Sequence, residues 1–142
     1  MVVRLEFTST FEMLDFVQVV SDHIGQTVGL DDDTQHYVGV AIRESVINAI
    51  KHGNRHDVSK HVFVEFSTGH AARDDGGGEL TIVVRDQGGG FDPATVADPL
   101  APENLLKASG RGIFLIRSFM DDVQLRSVPE GGMEIRMVKR VP

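Results

Sequence analysis

Three short stretches of the chain carry side chains that could work on one ligand. The first is "VVRDQGGGFDP", residues 83–93, where an apolar run ends in Asp86 and then gives up side chains at Gly88, Gly89 and Gly90. A carboxylate accepts a hydrogen bond from the exocyclic amine of adenine and repels the O6 acceptor of guanine, so a pocket built on that bond rejects the wrong base. Glycine in such a place serves either a tight turn or the close approach of a flat ring to the main chain. The second stretch, "RESVINAIKHGN" (43–54), places Glu44 and Asn48 one helical turn apart, with Lys51 on the same side. An Asn carbonyl oxygen can join a magnesium shell and a Glu can take a proton from a hydroxyl, while the plainer reading is a solvated stripe on an amphipathic helix. The third, "KASGRGIFLIRSF" (107–119), sets Gly110 and Gly112 at the start of an apolar helix. Free amides there form an anion site, to which Lys107 and Arg111 add positive charge. Neither a GxxxxGK[ST] loop nor a GxGxxG fingerprint occurs. The glycines at 76–78 and 131–132 read as plain turns between strands.

These residues need elements to position them. "VVRLEFTS" (2–9) reads as a strand, and "TFEMLDFVQVVSDHIGQTVG" as a helix capped by Thr10. A long helix runs from the Asp31–Asp33 cluster to about Gly53, burying Val38, Ile42, Val46, Ala49 and Ile50 on one side. Strands follow at 61–68 and 79–86, then a long loop with three of the five prolines, a short helix from Gly112, and a hairpin around "PEGG". A loop of that length inside a domain is usually functional. The order predicts an α/β (α+β) two-layer sandwich, with a mixed, mostly antiparallel sheet and helices on one face.

The 142 residues suit one domain, with 41% apolar and 25% charged residues. The absence of cysteine excludes disulfides, thiol nucleophiles and cysteine zinc sites. A formal net charge of −7 argues against general nucleic-acid binding but leaves room for an anionic small ligand. No apolar run is long enough for a membrane span and no signal peptide is visible, so a cytoplasmic protein is expected.

"RESVINAIKHGN", "VRDQGGGFDP" and "SGRGIFLIRSFMDDV" together resemble, in the expected order, the N box and the two glycine boxes of the GHKL (Bergerat-fold) ATPases, the superfamily of gyrase B, MutL and the histidine kinases. The ending "ENLLKASGRGIF" followed by "IRSFMDDV" is similar to one branch, the anti-sigma factor serine/threonine kinases. The resemblance implies one histidine kinase-like ATPase domain over 1–142, with an ATP lid at about 91–109. It implies Glu44 as catalytic base and Asn48 as magnesium ligand. Asp86 would read adenine, with Gly88 and Gly90 at the base and sugar. Gly110, Arg111 and Gly112 would turn at the phosphates, with Lys51 and Lys107 completing the nucleotide-binding set. His52 and Asn54 would cap the helix. The implied cofactors are ATP and Mg2+. The implied partners are a STAS-domain anti-anti-sigma protein as substrate, a sigma factor held inactive, and a second copy in a homodimer, with neither nucleic acid nor membrane contacted directly. Two other roles stay open: a switch kinase of a stress-signalling scaffold that binds no sigma factor, and a non-catalytic module that binds its partner according to nucleotide.

Overall fold

A computed structural model describes residues 1–70, 77–89 and 110–142. Strand β1 (Val2–Thr8) leads into helices α1 (Met13–Thr27) and α2 (Asp32–Asn48), and a π-helical turn (Ala49–Gly53) continues α2 without a break. Strands β2 (His61–His70) and β3 (Gly78–Arg85), helix α3 (Gly110–Phe119), and strands β4 (Asp122–Ser127) and β5 (Met133–Val141) complete the described elements. The expected lid, with Gly90 and Lys107, lies outside the described residues, as does the side chain of Arg111.

The five strands form one sheet in the order β1-β2-β3-β5-β4. All four pairings among the described residues are antiparallel. Alternation along each strand sends every second side chain to the helices. Registration turns that alternation into rows across the sheet. One row is Leu5, Val64, Val84, Ile135 and Leu125, and the next is Val3, Phe66, Ile82, Met137 and Val123. The three central residues of each row are buried, with relative exposures of 6% or less. Burying a side chain of this size contributes about 1.5–3 kcal/mol, which makes these rows the main anchor of the fold.

Helix α2 starts where the acidic cluster predicts. The Asp31 carboxylate accepts the Thr34 N–H at 2.7 Å, and Asp32 and Asp33 sit in the first turn, where the helix dipole favours negative charge. Val38, Ile42, Val46, Ala49 and Ile50 are all buried, as their spacing requires. Ser45 fixes the helix to the sheet: its hydroxyl donates to the Ala41 carbonyl at 2.8 Å and lies 3.2 Å from Met137 Sδ. The start of α1 differs from expectation. Thr10 supplies no side-chain cap; the main chain closes the first turn instead, with the Met13 and Leu14 N–H groups donating to the Thr10 and Phe11 carbonyls.

Candidate functional site

A cavity of about 650 Å³ opens between α2 and the sheet. This is the size range of a small-molecule site. Its apolar lining includes Val84, Ile135 and Leu125, three members of one cross-sheet row, together with Ile113 from α3. Its polar lining includes Ser45, Asn48, His52, Asn54, Lys60 and Asp86. The sheet register and the helix therefore deliver side chains from distant parts of the sequence to one chamber.

Asp86 follows β3 directly and is 5% exposed. Its Oδ1 accepts two main-chain N–H groups, from Gly88 at 2.9 Å and from Met133 at 3.1 Å. The first is the turn an aspartate makes with the amide two residues on. The second comes from the first residue of β5, across the sheet. Oδ2 accepts no hydrogen bond among the described residues. One oxygen is thus clamped and the other is not. Burial pushes the Asp86 carboxyl above the ordinary aspartate value, and the two amides and nearby Lys60 oppose that shift without cancelling it.

Three glycines from separate parts of the chain close around this residue. A Cβ at Gly53 would overlap the Asp86 carboxylate, one at Gly88 would overlap the Gly53 carbonyl oxygen, and one at Gly132 would overlap the Asp86 carbonyl oxygen. Gly88, expected beside base and sugar, thus has its close neighbour in the protein's own main chain. Gly89 instead meets nothing within 4 Å in its Cβ direction and lines the cavity. Gly132, expected only to turn a hairpin, does adopt the turn, with φ of 105°, but also seats the main chain of Asp86.

The turn after α2 brings Asn54 under the same loop. Asn54 is 1% exposed. Its Oδ1 accepts the Gln87 N–H at 2.8 Å, and its Nδ2 donates to Ser9 Oγ at 2.6 Å and the His61 carbonyl at 2.9 Å. Rather than capping a helix with its side chain, it ties the ends of β1, β2 and β3 together. The turn itself is wide: the Asn54 N–H donates to the Ala49 carbonyl, five residues back, at 2.7 Å. Such π turns recur at functional sites. His52 lines the cavity on this turn, and burial, then the neighbouring Lys51 and His56, hold its imidazole below the ordinary value. Lys51 is exposed and does not line the cavity.

At the far side, α3 begins at Gly110 with no acidic residue in its first turn, which leaves its free amides available to an anion. Gly112 packs onto α2: a Cβ there would stand 3.0 Å from Glu44 Oε2, 3.3 Å from Asn48 Nδ2 and 3.6 Å from Asn48 Oδ1. Glu44, Asn48 and Gly112 are therefore brought together. Asn48 Nδ2 is the one buried side-chain nitrogen or oxygen without a hydrogen-bond partner among the described residues. An unmet buried donor costs about 1–3 kcal/mol, which an acceptor bound beside it would recover. Magnesium fits this donor set: it needs few protein ligands when phosphates and water supply the rest, and the Asn48 oxygen is of the kind it takes. No group of three or more His, Asp or Glu able to hold a metal occurs among the described residues.

The chamber thus has a buried carboxylate at one end and the start of α3 over Glu44 and Asn48 at the other. The chain belongs to the histidine kinase-like ATPase domain family, whose pattern matches residues 7–139. Its similarity extends over whole lengths to proteins described as anti-sigma F factor. The one from Clostridium perfringens is 35% identical over 97% of this chain and 95% of its own. Those from Oceanobacillus iheyensis and Bacillus subtilis are 32% and 31% identical, over 96% and 97% of this chain and 90% and 91% of theirs. Within the GHKL superfamily the chain therefore falls in the anti-sigma factor kinase branch. The fold agrees with a Mycobacterium tuberculosis structure of RsbU and RsbW domains, at a TM-score of 0.66 and 18% identity, matching 99% of this chain and 32% of that one. No helix among the described residues is long and apolar enough to cross a membrane.

Proposed function

We propose that this protein binds Mg-ATP and transfers the γ-phosphate to a serine or threonine of a STAS-domain anti-anti-sigma protein, and that it otherwise holds a sigma factor inactive. One observation carries the reading. The same cavity that presents the free Oδ2 of Asp86 also contains the orphaned amide of Asn48, next to Glu44 and the first turn of α3. Adenine would donate its exocyclic amine to Oδ2. The phosphates would lie toward the α3 amides and Asn48 Nδ2, which are donors facing an anion. When bound, magnesium neutralises charge on the transferring phosphates, and Asn48 Oδ1 would help hold it. Glu44 would accept the hydroxyl proton as the substrate oxygen bonds to the γ-phosphorus and the bond to ADP breaks. The products are a phosphoseryl or phosphothreonyl protein, ADP and a proton on Glu44.

The test uses labelled γ-phosphate, magnesium and a purified STAS-domain protein. The wild type should label the substrate. Glu44→Ala should bind ATP within a few-fold of the wild type yet lose transfer, a loss confined to the transition state. Full transfer by Glu44→Ala would remove the base from its role, and a wild type that never labels the substrate would leave nucleotide binding without this chemistry.

A further inference from the structure

We propose that Gly53 is a specificity-determining position: by lacking a side chain it holds open the space in which Asp86 Oδ2 reads the base. The inference rests on the adenine reading above and adds a residue to it. Glycine costs the chain conformational entropy and is normally kept for a backbone conformation other residues avoid. Gly53 has no such need. Positive φ among the described glycines belongs to Gly29, Gly131 and Gly132 alone. The reason for glycine at 53 is therefore space, and what occupies that space is the carboxylate itself. A Cβ there would overlap Oδ2 and Cγ of Asp86 and stand 2.9 Å from Oδ1.

The carboxylate has little freedom to yield. Turning it away would break the bonds from the Gly88 and Met133 amides to Oδ1 in a site that is almost wholly buried. Gly53 differs here from its two neighbours. Gly88 and Gly132 each make room for main chain, so a side chain at either would shift the loop or hairpin as a whole. A Cβ at either would also stand 3.2 Å from Asp86 Oδ1, but of the three only Gly53 would overlap the carboxylate and meet Oδ2. Its own position is set from behind, because Asn54 is pinned to Gln87, Ser9 and His61. The π turn brings the glycine to the acid, and Asn54 keeps it there.

The experiment is a double-mutant cycle on the full chain with Gly53→Ala, Asp86→Ala and both changes together. It reads the affinities for Mg-ATP and Mg-GTP and the melting temperature without nucleotide. Gly69→Ala serves as control, since a Cβ there meets nothing within 4 Å. Gly53→Ala should weaken ATP about tenfold or more, as expected for loss of a hydrogen bond to a charged acceptor. It should also reduce ATP-over-GTP discrimination to the level of Asp86→Ala. On the Asp86→Ala background the same change should cost about twofold or less, since the group it displaces is gone. If Gly53→Ala does not fold, the double variant should, because the overlap has been removed. Retained discrimination in Gly53→Ala, or an equal loss on both backgrounds, overturns the proposal while leaving adenine reading intact. A double variant that also fails to fold overturns it as well. A wild type that binds ATP and GTP alike overturns adenine reading and this proposal together.

Discussion

Replacing Asp86 by Asn should separate base reading from folding. The change preserves shape and keeps one acceptor oxygen, which can go on accepting the Gly88 and Met133 amides now held at 2.9 and 3.1 Å. The new NH2 then takes the place of Oδ2 and faces the adenine amine, donor against donor. The loss combines a hydrogen bond to a charged group, about 1.5–3 kcal/mol, with donors left unmet, and about 2–4 kcal/mol is a reasonable net. That corresponds to a roughly thirty- to thousand-fold weaker Kd for ATP. Guanine O6 would meet the new donor favourably, so GTP should lose nothing and the preference should collapse or reverse. Folding should respond the other way. Burial makes the ionised carboxylate costly to the folded chain, so at pH 7 Asp86→Asn should melt no lower than the wild type. Calorimetric titration with both nucleotides, beside melting curves, reads the two effects separately. An ATP affinity within threefold of wild type would refute the reasoning.

Two further outcomes follow from the same geometry. Since burial raises the folded-state value of Asp86 above the ordinary 3.8, its contribution to folding is fully present below that value and falls as pH rises through the raised one, whereas base reading needs the ionised form. ATP affinity should therefore decline on acidification at a higher pH than an ordinary aspartate would cause, and the decline attributable to this group should be missing in Asp86→Asn measured in parallel. Asn54→Ala removes three hydrogen bonds at a position 1% exposed and leaves the Gln87 N–H unmet; it should lower unfolding free energy by about 2–4 kcal/mol in urea denaturation, and a change under 0.5 kcal/mol would deny it the clamping role.

Much of this was legible in the sequence because it depends on local periodicity. The run Val38, Ile42, Val46, Ile50 declares a buried helix face, and that face fixes where Glu44 and Asn48 point. The alternation in "HVFVEF" and "LTIVV" likewise declares which strand residues meet the helices. What could not be read depends on approach between distant segments. Gly132 satisfied its turn so completely that nothing in "PEGG" hinted at Asp86. Gly53 closed a helix in the way glycines commonly do. The Met133 amide, one of the two donors that orient the acid, belongs to a residue whose side chain suggests no chemistry. The mostly antiparallel sheet was expected from the order of the elements, whereas the strand order β1-β2-β3-β5-β4 was not, since hydrophobic alternation does not say which strands are neighbours.

The wide turn at Ala49–Gly53 has a bearing on how related chains should be compared. Its carbonyls are met five and six residues on, by the N–H groups of Asn54 and His56. The helix thereby absorbs a surplus residue without disturbing either neighbour: Glu44 and Asn48 keep their phase on one side, and Gly53 and Asn54 keep theirs on the other. A descendant that shed one residue here would wind an ordinary α-turn, and every position up to Asn48 would stay in register while Gly53 and Asn54 swung away from the acid. A one-residue gap opposite 49–53 in a related chain should therefore part Gly53 and Asn54 from the acid while leaving Glu44 and Asn48 in place.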